Sequence, residues 1–202
     1  MTRLPRIGVL SLQGDVREHV RALEESGADA CPVGSASALA GVQALVIPGG
    51  ESTTMSLLAV RDGLLEPLRE ARRAGMPMYG SCAGMIMLAD RVLDARPDQQ
   101  TIGGLDVTVR RNAFGRQVDS FETEIQVEGV PAGPFPAVFI RAPWVESVGE
   151  SVRVLARVGA SDGTDTIVAV AQGPLLATSF HPELTGDLRI HEMFIGIVRQ
   201  YS

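Results

Sequence analysis

Through its first half the chain alternates short apolar runs with amphipathic stretches. Ile7-Gly8-Val9-Leu10-Ser11-Leu12 is a continuous apolar run of the kind that a strand covered on both faces requires, and Gln13-Gly14 closes it in a turn. From Asp15 to Ser26 the apolar positions Val16, Val20, Ala22 and Leu23 recur at helical spacing, with Gly27 placed as a C-terminal cap. A second strand is predicted over Ala30 to Val33. A third, Gly41 to Ile47, leads into Pro48-Gly49-Gly50-Glu51-Ser52-Thr53-Thr54, where hydroxyl side chains would cap a helix beginning near Met55. Helical spacing returns through Leu64, Leu65, Leu68 and Ala71 to Gly75; a buried strand then runs from Pro77 into a glycine-bracketed turn, and a helix from Ala83 to about Val92. Strict alternation predicts an α/β fold: a mostly parallel central sheet with helices on both faces, and ligands beyond the carboxyl ends of the strands.

After a polar segment, Asp94 to Gln100, which reads as a surface loop, the pattern turns β-rich. Leu105 to Val109 and Glu122 to Val127 alternate apolar with polar residues as half-exposed strands do. The intervening Arg110 to Phe121 is dense in arginine, amide and aromatic side chains, which fits a binding loop or simply solvated charge. Ala137 to Ile140 is a strand ending at Arg141, a cation within reach of an anionic group. Val152 to Val158 and Thr166 to Gln172 read as antiparallel strands turning at Asp162-Gly163, Leu175 to Ser179 as a strand, and Gly186 to Tyr201 as a closing helix. His19 and His191 fall in helices and read as surface or structural histidines.

Composition narrows the classes. A chain of 202 residues supports one sizeable core, so a single domain spanning 1–202 is expected. The net charge of −6, with no lysine run or basic patch, argues against nucleic acid. No apolar run approaches the roughly 20 residues of a membrane span and no signal-peptide core precedes the first strand, so a cytoplasmic protein is expected. The two cysteines, Cys31 and Cys82, have neither metal-ligand spacing nor a disulfide framework, and neither a metal nor a cofactor is expected.

Chemistry concentrates at Gly80-Ser81-Cys82-Ala83-Gly84. A nucleophile elbow needs small residues two before and two after its apex, because strand and helix pack closely there while the apex backbone is strained. Gly80 and Gly84 meet that need. The following helix aims amides at the turn, favouring thiolate and offering the Ala83 N–H to a developing oxyanion. A free cysteine is by default a small buried hydrophobe, and the turn alone does not separate the two readings. Phe180-His181-Pro182-Glu183 does, by supplying a base and its orienter. In an extended segment residues two apart project to one side, so His181 and Glu183 are expected to pair and complete a Cys82–His181–Glu183 triad. The Gly49-Gly50 turn is a second candidate, as part of an oxyanion hole or carboxylate nest.

On these residues the chain resembles the glutaminase subunits of two-component pyridoxal 5′-phosphate synthases, within the triad (class I) glutamine amidotransferases. The likeness is carried by Gly8 to Leu10 with Leu12-Gln13-Gly14 and Arg17-Glu18-His19, Pro48 to Thr54, Gly80 to Gly84, Arg111 to Glu122, Phe139 to Pro143 and His181 to Thr185. Ser81 departs from a frequent threonine. The elbow and His-Pro-Glu identify the superfamily; Gly-Gly-Glu-Ser-Thr-Thr and Arg-Asn-Ala-Phe-Gly-Arg-Gln narrow it. The resemblance implies a flavodoxin-like, three-layer fold and hydrolysis of L-glutamine to L-glutamate and ammonia. It also implies that Gly49, Gly50, Glu51, Arg111, Ile140 and Arg141 bind the substrate, with Gly50 beside Ala83 at the oxyanion. Ammonia would pass to a separate (β/α)8-barrel synthase subunit, with Gln13 coupling that contact to activation. Two other readings stay open: a stand-alone cysteine hydrolase of the same superfamily, such as a peptidase or γ-glutamyl hydrolase, and a binding module without turnover.

Overall fold

The computed structural model describes residues 4–111, 120–159 and 165–201. In chain order its elements are β1 (Arg6–Leu10), α1 (Val16–Glu25), β2 (Asp29–Val33), α2 (Ala36–Leu39), β3 (Ala44–Ile47), α3 (Ser52–Arg61), α4 (Leu65–Arg73), β4 (Met78–Ser81) and α5 (Ala83–Leu88). There follow β5 (Ala89–Leu93), β6 (Leu105–Arg110), β7 (Ser120–Ile125), β8 (Phe135–Ile140), β9 (Trp144–Val148), β10 (Arg153–Gly159), β11 (Asp165–Gln172), β12 (Leu175–Thr178) and α6 (Arg189–Tyr201).

A ten-stranded sheet runs in the order β2-β1-β3-β4-β12-β11-β9-β6-β5, with β10 paired to β11. From β2 to β12 all neighbours are parallel; β12 to β11, β11 to β9 and β9 to β6 are antiparallel. β7 and β8 form a separate antiparallel ribbon.

The period-two pattern of the central strands divides the core into two layers. Leu10, Leu45, Ile47, Met78 and Ala177 point to one side, against the apolar stripes of α3 and α4 and against α5. Ile7, Val9, Ala44, Val46, Tyr79 and Leu176 point to the other, where Leu23 of α1, Phe194 and Val198 of α6, and Phe135 and Phe139 of the ribbon cover them. The chain reverses its strand order between β1 and β3, so the crevice at their carboxyl ends is the sheet's topological switch point.

Several elements differ from the expected ones. α5 stops at Leu88 instead of near Val92, because Ala89 turns extended (φ −66°, ψ 140°) and the chain continues as β5 beside β6. Val92 belongs to a strand partner, which helical spacing alone does not separate from a last turn. α3 begins at Ser52, three residues before Met55, and its cap is the Glu51 carboxylate, which accepts the amides of Thr53 (3.1 Å) and Thr54 (2.6 Å). α2 and β9 have no counterpart in the sequence reading; α2 is a single turn capped by Ser35 and β9 is held largely by its neighbours. Most of the Arg110 to Phe121 loop (112–119) and the Asp162-Gly163 turn lie outside the described residues.

Candidate active site

Cys82 stands between β4 and α5 with φ 50° and ψ −103°, a left-handed φ that is costly for a side chain bearing Cβ. Close packing around it holds that conformation. A Cβ on Gly84 would fall inside contact with the carbonyl oxygen of Ile47 on β3, and one on Gly80 would strike the backbone of Gly84. Both glycines therefore serve the approach of helix to strand, as the elbow pattern requires. The Cys82 amide donates to Thr178 O at 2.8 Å and its Sγ lies 3.9 Å from Ile140 O. The residue is 6% exposed, at the floor of a cavity of about 320 Å³.

His181 follows β12, the strand beside β4, and so arrives at the elbow by register. Its Nδ1 lies 2.7 Å from Glu183 Oε1. The pair forms across a 3-10 turn, Pro182–Leu184, and not along the extended segment expected. Proline at the first position of that turn brings the carboxylate back beneath the imidazole. A second carboxylate, Asp15 Oδ2, is 3.5 Å from the same nitrogen. Burial alone would lower the His181 pKa; hydrogen bonds to Asp15, Cys82 and Glu183 outweigh it and push it up to about 12. Burial would likewise raise Glu183, whose side chain is wholly covered, but His19 and His181 hold it below the usual carboxylate range. Asp15, His181 and Glu183 also bring three ligand-type atoms within 4.8 Å, a spacing that hydrogen bonding to one imidazole accounts for.

Of the sequence-predicted binding residues, Gly50, Glu51, Ala83, Arg111, Ile140, Arg141 and Gln13 line the cavity with Cys82 and His181. Gly49 does not line the cavity; a side chain there would run into the His181 ring, so a glycine at this position leaves the imidazole space. Glu51 faces the cavity with its carboxylate already engaged. Besides capping α3, its Oε1 accepts Arg111 Nη2 at 3.0 Å. Arg141 shares with Cys82 a left-handed φ, here 42°, which turns the chain sharply at the cavity mouth. Gln13 Oε1 accepts the Glu51 N–H at 2.7 Å.

Four residues hold places around the site that the sequence reading did not assign them. Gln99 turns inward from the supposed surface loop, accepting Arg111 Nη1 at 2.8 Å and donating to Ser52 Oγ at 3.1 Å. Asp15 is one residue from a predicted turn and carries no local mark of proximity to His181. His19 and His191 are not at the surface, where one alternative placed them: both are completely buried beneath the elbow. The signal for His19 was its place on the apolar side of α1, between Val16 and Leu23.

A thiol at a strand-to-helix elbow, beside a carboxylate-bound imidazole at the switch point of a parallel sheet, is the arrangement of a triad cysteine hydrolase on an α/β scaffold. Over residues 9–200 the chain matches the SNO glutamine amidotransferase family, and it belongs to that family. It is 64% identical over 194 residues to the pyridoxal 5′-phosphate synthase subunit PdxT of Acidothermus cellulolyticus, covering 96% of this chain and 94% of that one. The corresponding PdxT of Rhodococcus jostii is 61% identical over 201 residues, covering 98% and 99%. A crystal structure described as a glutamine amidotransferase superposes with a TM-score of 0.87 at 47% identity, over 96% of this chain and 98% of that one.

Proposed function

We propose that the chain is the glutaminase subunit of a pyridoxal 5′-phosphate synthase, releasing ammonia from L-glutamine through Cys82, His181 and Glu183. The observation that carries this reading is the 2.7 Å hold of Glu183 on His181 Nδ1, which leaves Nε2 for the elbow thiol. With the proton on the imidazole, the Cys82 sulfur attacks the carboxamide carbon of glutamine. A tetrahedral oxyanion forms, within reach of the Ala83 and Gly50 amides. His181 then gives its proton to the amide nitrogen, the C–N bond breaks and ammonia leaves, with a thioester on Cys82. Water attacks the thioester while His181 takes its proton, and glutamate departs as the sulfur regains its starting form. Glu183 keeps the imidazole in one tautomer and stabilises its charge throughout.

Arg141 offers a cation to the α-carboxylate of the substrate, and Arg111 a second one, held against the wall by Glu51 and Gln99. Glu51 acts through Arg111, since its oxygens are taken. The likeness to pyridoxal 5′-phosphate synthase subunits implies that the ammonia acceptor is a separate synthase subunit, a (β/α)8 barrel. Both cysteines are free thiols, which suits the reducing cytoplasm.

Glutamate release from glutamine by the purified chain, alone and with a matching synthase subunit, tests this reading against a Cys82→Ala control. Release that rises with the synthase and vanishes in the control is expected. Equal release with and without it would favour an independent hydrolase, and none in either case a binding module.

A further inference from the structure

Beneath the elbow, two buried histidines from different helices meet the far side of Glu183. His19 of α1 has no exposed side-chain surface. Its Nε2 lies 3.2 Å from Ser81 Oγ and 3.3 Å from Glu183 Oε2, and its Nδ1 lies 3.0 Å from Nε2 of His191 on α6. Tyr79 stands edge-on to both rings, 6.1 Å from His19 and 6.2 Å from His191. The cluster thus touches Ser81, the residue before the nucleophile, and the carboxylate that orients the base.

The proton positions follow from partners. His191 Nδ1 is buried without a hydrogen bond among the described residues. An orphaned buried N–H is rarer and costlier than an orphaned lone pair, so the His191 proton belongs on Nε2, where it is donated to His19 Nδ1. His19 must then carry its own proton on Nε2, facing Ser81 Oγ and Glu183 Oε2. Burial lowers the pKa of both rings, which keeps the pair neutral. Glu183 Oε1 is taken by His181, whereas the buried Oε2 has no aligned hydrogen bond among the described residues. The His19 Nε2–H, 3.3 Å from that oxygen and shared with Ser81 Oγ, is the side-chain donor that the described residues set beside it.

We propose that His19 is a positioning residue for glutamine hydrolysis. Its Nε2–H holds Glu183 Oε2 so that Oε1 stays on His181 as charge develops there, and His191 selects the His19 tautomer that makes this possible. The inference rests on the reading of Cys82, His181 and Glu183 as a triad. His19 acts only through Glu183; the sequence between them, 164 residues apart, gives no hint of the pairing.

The test is steady-state glutamine hydrolysis by the complex with the synthase subunit, with thermal midpoints taken for each variant. His19→Leu is expected to lower kcat about tenfold to a hundredfold, as loss of a hydrogen bond to a charged group does, with KM within about twofold. His19→Gln, which can return an N–H to the same place, should recover most of that loss. In a Glu183→Gln background, His19→Leu should cost little more. An unchanged kcat in His19→Leu, equal losses in the Leu and Gln variants, or the same penalty in the Glu183→Gln background would each overturn the proposal. Should His19→Leu not fold, His19→Gln and His191→Leu decide: near-native kcat in the first with a reduced kcat in the second supports it, and any other pairing overturns it. Failure of the triad reading looks different, since Glu183→Gln by itself would then leave kcat unaltered.

Discussion

The side-chain carbonyl of Gln13 accepts the backbone N–H of Glu51 at 2.7 Å, tying the loop after β1 to the loop after β3. This bond spans the switch point of the sheet and fixes the Gly50–Glu51 peptide at the cavity wall. Gln13→Ala is therefore expected to lower synthase-stimulated glutamate release by roughly tenfold, the worth of one well-placed hydrogen bond. Stimulated turnover equal to that of the native chain would remove Gln13 from any coupling role.

Two carboxylates face the same His181 nitrogen, at 2.7 Å for Glu183 and 3.5 Å for Asp15. The Glu183 side chain is fully covered and the Asp15 side chain 39% exposed, so water screens Asp15 far more. Glu183→Gln should reduce kcat by about a thousandfold and Asp15→Asn by less than about fivefold. Comparable losses in the two would mean that Asp15 is the orienting group.

Glycine replacements separate close approach from mere flexibility. Gly84→Ala places a methyl group against Ile47 O and should destabilise the fold by about 3 kcal/mol or more, beyond ordinary overpacking because the obstacle is backbone. Gly196→Ala, on the exposed side of α6 with open space around it, should stabilise by about 0.5–1 kcal/mol. Denaturant midpoints at constant m-value read both.

Acid should weaken the fold through the buried histidines. Burial and the neighbouring His19 lower the His191 pKa from 6.5 to about 3. Above pH 6.5 the ring is neutral in folded and unfolded chains alike, and its contribution is fully present. Between 6.5 and about 3 the unfolded chain binds a proton that the folded chain refuses, so stability falls as pH falls. The share of one such group approaches about 1.4 kcal/mol per pH unit. His191→Leu should flatten the acid limb of unfolding free energy against pH by that share; an unchanged slope would mean that His191 is already charged in the fold.

The strand and helix order from β1 to β4 was legible because buried parallel strands are short continuous apolar runs and their helices carry one apolar stripe, both local properties. Cys82 was legible for a related reason: an elbow constrains residues two before and two after its apex, so its glycines are close in sequence. His181 and Glu183 were named together because they are two residues apart, although a 3-10 turn and not an extended segment joins them. Tertiary structure alone decided what lies across the chain from these marks. β12 brings His181 to Cys82 by pairing with β4, Gln99 leaves a polar loop to hold Arg111, and α1 and α6 deliver His19 and His191 to the underside of Glu183. Such contacts form because buried polar groups must find partners wherever packing sets them, and a side chain's spacing along its own helix or loop does not encode what another element places opposite it.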